Sequence, residues 1–414
     1  MDKAHRVVIT GIGAITPIGS GRKGLWEGVL AAQSAVQRIT RFDPSEFRSQ
    51  VAAQVNDFEP LDHFEAKRAR RLDRYSQFAV AAAQDAVLDS GLCLSGDDAE
   101  ATGVYLGSAL GGLSFAEEQH TLFLDNGLRA VNNILALTVF GSASSCNIAI
   151  EMGLFGPNQT NANSCASGAV AIGEAFRVIR EGRARIMLAG GVEAPLAPLI
   201  FGAFDVIHAI SGNSNDDPQN ASRPFDAHRD GFVMSEGAAI LVLEDMEHAQ
   251  VRGAPIYAEI LGYATTTDAF HMTAPRPDGA QAIRCMREAL ADAGLQPQEI
   301  EHINAHASAT PLNDKTETMA LKAVFGEHAH HIPVSATKGM HGHALGASGA
   351  FEAAISALTL THDYLPSTVN LRNPDPECDL DYTSSGGRAQ RVHTILSNSF
   401  GFGGINAALV FGRV

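Results

Sequence analysis

The sequence predicts an α/β protein made of two similar halves, residues 1–252 and 253–414. Three observations predict it. Short apolar runs rich in Val and Ile alternate with stretches of helical character, as in sheets buried on both faces. "QDAVLDSGL" (residues 84–92) is echoed about half the chain later by "REALADAGL" (residues 287–295), each an amphipathic helix ending in Gly and then Leu. "CASGAVAIGEAF" and "HGHALGASGAFEAAISAL" open two helices of very small residues, a composition suited to burial against other backbones. A repeat of roughly 200 residues is a duplicated domain and not a solenoid.

Taken in order, "RVVITGIG" is the first strand. The basic residue before this apolar stretch resembles a leader peptide. Glycines and Pro17 interrupt it, however, and no small-residue cleavage motif follows, so it reads as a strand entering a Gly-rich turn. "TGVYLGSA", "ARIMLAGGVEA" and "GAAILVLEDM" supply further strands of the first half. The seam falls near "QVRGAPIYAE", around residues 252–255. "PIYAEILGYAT", "HTILSNSFG" and "NAALVFGRV" supply strands of the second half. Each half is expected to form its own sheet, the two packing in layers. The long loop "HAISGNSNDDPQNASRPFDAHRDG" interrupts the pattern, and loops of that length are often functional.

Composition narrows the function. The chain of 414 residues is 45% hydrophobic, enough for a large core, and no run approaches the roughly 18 apolar residues of a membrane span. The five cysteines are scattered without a CxxC pair, which points to a reducing compartment and a cytoplasmic protein. The net charge of −16 argues against nucleic-acid binding and makes a local basic cluster informative. "AKRARRLDR" is such a cluster, with Lys67, Arg68, Arg70, Arg71 and Arg74. It reads either as a solvated helix face or as a docking patch for an acidic partner.

Cys165 sits where a helix begins, at the positive end of the helix dipole, which favours thiolate. Among 16 histidines two share its context of a strand end followed by small residues: His306 in "INAHASATP" and His343 in "TKGMHGHALGASGA". In a duplicated α/β fold such ends converge. A zinc reading of His328, His330, His331, His341 and His343 is disfavoured, because no cysteine lies nearby at ligand spacing and Lys338 sits among them.

"NSCASG", "NAHASATPLNDKTE", "SATKGMHGHALGASGA" and "NSFGFGGINAALVF" together resemble the signature segments of β-ketoacyl-[acyl-carrier-protein] synthases, most closely the elongating type II condensing enzymes. The resemblance runs essentially end to end. It implies a thiolase-like fold of two βαβαβαββ halves in five αβαβα layers. It implies decarboxylative condensation of an acyl-enzyme with malonyl-acyl carrier protein, without a cofactor or a catalytic metal. By resemblance Cys165 is the nucleophile, and its N–H with that of Phe400 forms the oxyanion hole. His306 and His343 hold the malonyl thioester. Lys338 orders the histidines through Glu317 or Glu352. Phe400, in "FGFGG", is the gate that the segment's glycines let swing. Ser308 and Thr310 meet the pantetheine arm, Leu110 lines the acyl pocket, and Lys67, Arg70 and Arg71 dock the acidic carrier protein. A homodimer is implied, with a heterodimer with a chain-length subunit left open. A monovalent cation beside Asn304, Glu352, Ser397 and Asn398 is also left open. Ala307, Ser308, His341 and the "NSC" triplet depart from the commonest family pattern, which leaves room for a polyketide or polyene ketosynthase. A non-catalytic chain-length subunit lacks the cysteine, so Cys165 argues against it.

Overall fold

The structure, a computed structural model, describes residues 4–384 and 386–414. The first half runs β1 (Val7–Thr16), α1 (Arg74–Ser90), β2 (Thr102–Gly107), α2 (Ala143–Met152), β3 (Asn158–Asn161), α3 (Ser167–Arg180), β4 (Ile186–Glu193) and β5 (Gly237–Asp245). The second half repeats this order: β6 (Ala258–Thr267), α4 (Ala280–Ala293), β7 (His302–Asn304), α5 (Pro311–Phe325), β8 (Val334–Ser335), α6 (Ser348–His362), β9 (Thr394–Gly401) and β10 (Ile405–Gly412). Apart from inserted helices such as Gly21–Ala31, Leu113–Asn126 and Pro198–Val206, each half is therefore βαβαβαββ.

The sheet orders match as well. The first half is laid out β3-β2-β4-β5-β1 and the second β8-β7-β9-β10-β6, with the same parallel and antiparallel pairings at equivalent positions. Physical chemistry fixes the ends of the equivalent helices α1 and α4. Asp73 caps α1 by accepting the Ser76 amide at 3.2 Å, and both helices stop at a glycine in the left-handed region, Gly91 at φ +65 and Gly294 at φ +70.

One expectation needs correction. The halves do not keep separate sheets, because Val7–Ile9 of β1 pair antiparallel with Ala258–Ile260 of β6. These are the first strands of the two halves. They meet on the approximate two-fold axis and satisfy each other's backbone groups, which leaves no internal sheet edge.

The layers follow from which faces are apolar. α1 and α2 cover one outer face, α4 and α5 the other, and α3 and α6 lie between the two halves of the sheet. β1 is buried at all ten positions and α6 from Ser348 to Leu360, as elements with apolar material on every side must be. The middle helices touch through glycine. A Cβ on Gly168 would lie 2.9 Å from the Ala350 nitrogen, and one on Gly349 would lie 2.8 Å from the Ala169 nitrogen. Both start from a single 3-10 turn, Ser164–Ala166 before α3 and Leu345–Ala347 before α6. The first residue of each turn has positive φ, +50 at Ser164 and +43 at Leu345. Gly346 thus occupies in the second half the place that Cys165 holds in the first.

Candidate active site

The nucleophile candidate is reached from three directions. Cys165 is buried on the turn ahead of α3. His306 follows β7, and His343 precedes the turn that opens α6. The hairpin between β9 and β10 closes over them: a Cβ on Gly401 would stand 3.1 Å from the Cys165 nitrogen. Cys165, His306 and His343 line one cavity of about 340 Å³, together with Ser308, Thr310, Glu317 and Phe400. The two imidazole rings are 5.4 Å apart and nearly perpendicular.

Each imidazole has one nitrogen occupied. Lys338, fully buried, pairs with Glu352, donates to the His306 carbonyl at 2.5 Å and lies 3.4 Å from His306 Nδ1. An ammonium only donates, so His306 Nδ1 accepts and its proton sits on Nε2. His343 Nδ1 is 2.7 Å from the Ser348 hydroxyl, and the ring stands edge-on to Phe232 at 5.1 Å. Both histidines are held well below the usual imidazole range, first by burial and then by the Lys338 charge, so both are neutral. Of the two carboxylates expected beside Lys338, Glu352 is the one that pairs with it. Burial pushes Glu352 up to about 7 while the ammonium pulls it back. Glu317 instead accepts the backbone amides of His306 and Ala307, each at 2.8 Å, and so fixes the strand end that carries His306. Burial raises its carboxyl against the pull of those amides.

At the sulfur, burial works against the helix position. Burial pushes the Cys165 thiol up to about 12, outweighing the Phe402 amide, the Lys338 ammonium and its own N–H, all of which favour thiolate. Loss of water is the larger effect here, so the thiol rests protonated.

The hairpin also gives its two phenylalanines different surroundings. The amide that reaches the sulfur belongs to Phe402 and not to Phe400. The phenylalanine with glycine on both sides is likewise Phe402, in a turn where Gly403 and Gly404 have φ +85 and +74. Phe400 lies within β9, in register with Asn406, and packs on the His306 ring at 5.8 Å. Phe402 stacks on Phe204 at 6.2 Å, over the cavity.

Other predicted residues fall into place unevenly. Ser308 and Thr310 share a 3.0 Å hydrogen bond on the cavity wall, and Thr310 caps α5. Leu110 is absent from that wall. It packs just behind it, in the apolar cluster that holds Cys165 and Phe201 together with Leu345, Phe204 and Phe232, which do line the cavity. Lys67, Arg70 and Arg71 are exposed and without ion pairs among the described residues, whereas Arg68 pairs with Glu151 and Arg74 with the buried Glu236. His328 and His331 line a separate surface groove, away from the buried His341 and His343. Sequence reasoning missed Phe204, Phe232 and Asn313. The long loop it flagged, residues 208–231, was the available signal, since that loop supplies His208, Ala209 and Gly231 to the cavity.

Behind the site, several buried oxygens are left over among the described residues. Asn304 Oδ1, Glu352 Oε2 and Ser399 Oγ are buried oxygens with no hydrogen-bond partner. Oxygen donors with one carboxylate suit a hard cation. Asn398 Oδ1 is also unpartnered, but its amide nitrogen turns to Met286 and Glu317 on the α4 and α5 side. Ser399, not Ser397, supplies the unpartnered hydroxyl.

The chain matches the family model described as Beta-ketoacyl synthase, N-terminal domain over residues 4–249, and Beta-ketoacyl synthase, C-terminal domain over residues 257–372. It is 46% identical over 406 residues to 3-oxoacyl-[acyl-carrier-protein] synthase 2 of Synechocystis sp. (strain ATCC 27184 / PCC 6803 / Kazusa), covering 98% of this chain and 97% of that one. Among solved structures it is similar to a type II PKS ketosynthase in complex with its acyl-carrier protein (TM-score 0.91, 36% identity). It is also similar to the ishigamide ketosynthase/chain length factor (TM-score 0.92, 35% identity); in both cases the match covers 99% of this chain and 100% of the other. With a cysteine and two neutral imidazoles around one cavity in a duplicated thiolase-like fold, this chain belongs to the β-ketoacyl synthase family of condensing enzymes.

Proposed function

We propose that this acyltransferase condenses an acyl group held on Cys165 with malonyl-acyl carrier protein and lengthens the chain by two carbons. The carrying observation is that Cys165, His306 and His343, remote in sequence, line one buried cavity. In the first half-reaction the Cys165 sulfur bonds to the thioester carbon and the carrier's C–S bond breaks. The thiol proton goes to the departing carrier thiolate, which leaves as the thiol. The amides of Cys165 and Phe402 face the oxygen that gains charge. In the second, the malonyl C–C bond to its carboxylate breaks and carbon dioxide leaves. The electron pair delocalises onto the thioester oxygen, where His306 Nε2–H and His343 donate. The enolate carbon then attacks the acyl carbon, and the Cys165 C–S bond breaks to return the sulfur. Lys338 holds His306 in the donating tautomer, and a cation held by Asn304, Glu352 and Ser399 would offset the buried Glu352 charge. Phe402, on its glycine-flanked turn, is the gate.

The partner is an acidic carrier protein bearing pantetheine thioesters. Lys67, Arg70 and Arg71 remain free to meet it on a chain that otherwise repels acidic proteins, and the solved ketosynthase relative carries its acyl-carrier protein. Ser308 and Thr310 offer hydroxyls to the pantetheine arm. The sheet ends on the first-half side in β3, an exposed edge strand, and Ile150 (74% exposed) and Phe155 (69%) stand nearby, which supports a homodimer formed there. The five free cysteines fit a reducing, cytoplasmic setting. Among the described residues no helix is long and apolar enough to cross a membrane.

The test is incubation with acyl- and malonyl-carrier protein. The chain should form a covalent acyl adduct and release a β-ketoacyl product, and Cys165→Ala should form neither. An adduct on that variant removes the assignment. A second reading, a ketosynthase that works beside a non-identical chain-length subunit, draws on the likeness to the ishigamide ketosynthase/chain length factor. Condensation by the purified chain alone decides for the first.

A further inference from the structure

Glu193 ends β4 with no solvent exposure and, among the described residues, no ion pair. Four donors converge on it. Oε1 accepts the Ser108 hydroxyl at 3.0 Å and the Leu110 amide at 3.1 Å; Oε2 accepts the Ala109 amide at 2.7 Å and the Gly346 amide at 3.0 Å. These donors come from two separate segments. Ser108 to Leu110 form the loop after β2, and Gly346 belongs to the turn that opens α6. The join is tight, since a Cβ on Gly346 would stand 2.5 Å from the Ala109 nitrogen and 2.7 Å from Glu193 Oε2. Leu110 and Leu345, each next to a residue bound by this carboxylate, both pack in the apolar cluster that holds Cys165.

A buried carboxylate without a counter-cation is costly. Burial lifts Glu193 to about 7, against the pull of its four donors. What the carboxylate offers is two oxygens, each with room for two donors. A glutamine offers one such oxygen, and its NH₂ would face the other pair of donors. The site therefore selects a carboxylate for its geometry.

We propose that Glu193 is a positioning residue that sets the width of the acyl pocket, by holding the Leu110 loop and the Leu345–Gly346 turn on a single carboxylate. This rests on the condensing reading above. Glu193 is absent from the cavity wall and bonds neither histidine, so its loss should alter which acyl chains load onto Cys165 and spare the decarboxylating half of the site.

The experiment uses full-length Glu193→Gln, Glu193→Asp and Ser108→Ala, each loaded with short-, medium- and long-chain acyl carrier protein and followed by intact-protein mass spectrometry. The malonyl-carrier KM is measured alongside. Glu193→Gln should raise the long-to-short ratio of acylation rates by about tenfold, and Ser108→Ala by roughly threefold in the same direction. Glu193→Asp, which keeps the carboxylate on a shorter stem, should fall between wild type and Glu193→Gln. The malonyl KM should stay within about twofold throughout, a split that general loosening of the fold does not produce. If Glu193→Gln fails to fold, Ser108→Ala decides. An unchanged ratio, or acylation and malonyl KM degrading together, overturns the proposal. A wild-type chain that never acylates Cys165 overturns the condensing reading itself.

Discussion

A buried imidazole has to place its proton on one nitrogen, and Lys338 makes that choice for His306. Removing the ammonium in Lys338→Ala should slow malonyl decarboxylation by about a hundredfold while Cys165 still acylates, as rapid-quench assays of the two half-reactions would separate. The neutrality of His306 and His343 has a sign that can be checked. Their folded pKa values lie below the unfolded value of about 6.5, so below that pH the unfolded chain binds more protons. The stability they contribute is whole above that pH and declines as pH falls beneath it. Their imidazole C–H signals in NMR should therefore stay flat from neutral pH down through about 5.5. The raised Cys165 thiol makes the opposite kind of statement: its alkylation by iodoacetamide should keep climbing above neutrality instead of reaching a plateau. Phe402→Ala should disturb acyl loading, and Phe400→Ala should act through His306 on decarboxylation.

At the scale of elements, α3 and α6 cross where Gly168 and Gly349 let backbone meet backbone. A methyl group there has nowhere to go, and Gly349→Ala should cost about 1–3 kcal/mol in urea unfolding. This crossing was legible in the sequence, because "CASGAVAIGEAF" and "ALGASGAFEAA" carry small residues at matching places. The same small-residue context picked out Cys165, His306 and His343. Finer assignments were not legible, for identifiable reasons. Phe400 and Phe402 lie two residues apart in one motif, and only the bend of the hairpin separates the residue under His306 from the one whose amide meets the sulfur. Glu317 and Glu352 both sit on helices leading from site segments, and which one faces Lys338 depends on the side from which α5 and α6 approach β7. Glu193 was invisible as a functional residue, since its partners are mostly backbone amides, which leave no trace in sequence.

For the whole molecule, charge placement decides what it meets. Arg68 and Arg74 look like Lys67, Arg70 and Arg71 in sequence, but internal carboxylates occupy them and leave three cations facing outward. Reversing all three to Glu should raise the carrier-protein KM at least about tenfold and flatten its salt dependence, with little change toward a small thioester of the same acyl group. Ile150→Asp with Phe155→Asp should halve the mass seen by sedimentation if β3 pairs across a two-fold axis. Duplication also created two equivalent helix openings with equal claim on negative charge. One faces a sulfur and the carbonyl oxygens that visit it; at the other, Gly346 gives its amide to Glu193. A gene copied end to end starts with two rival reaction centres, and here an internal carboxyl group has retired one of them, so that incoming thioesters find a single place where electrons are welcome.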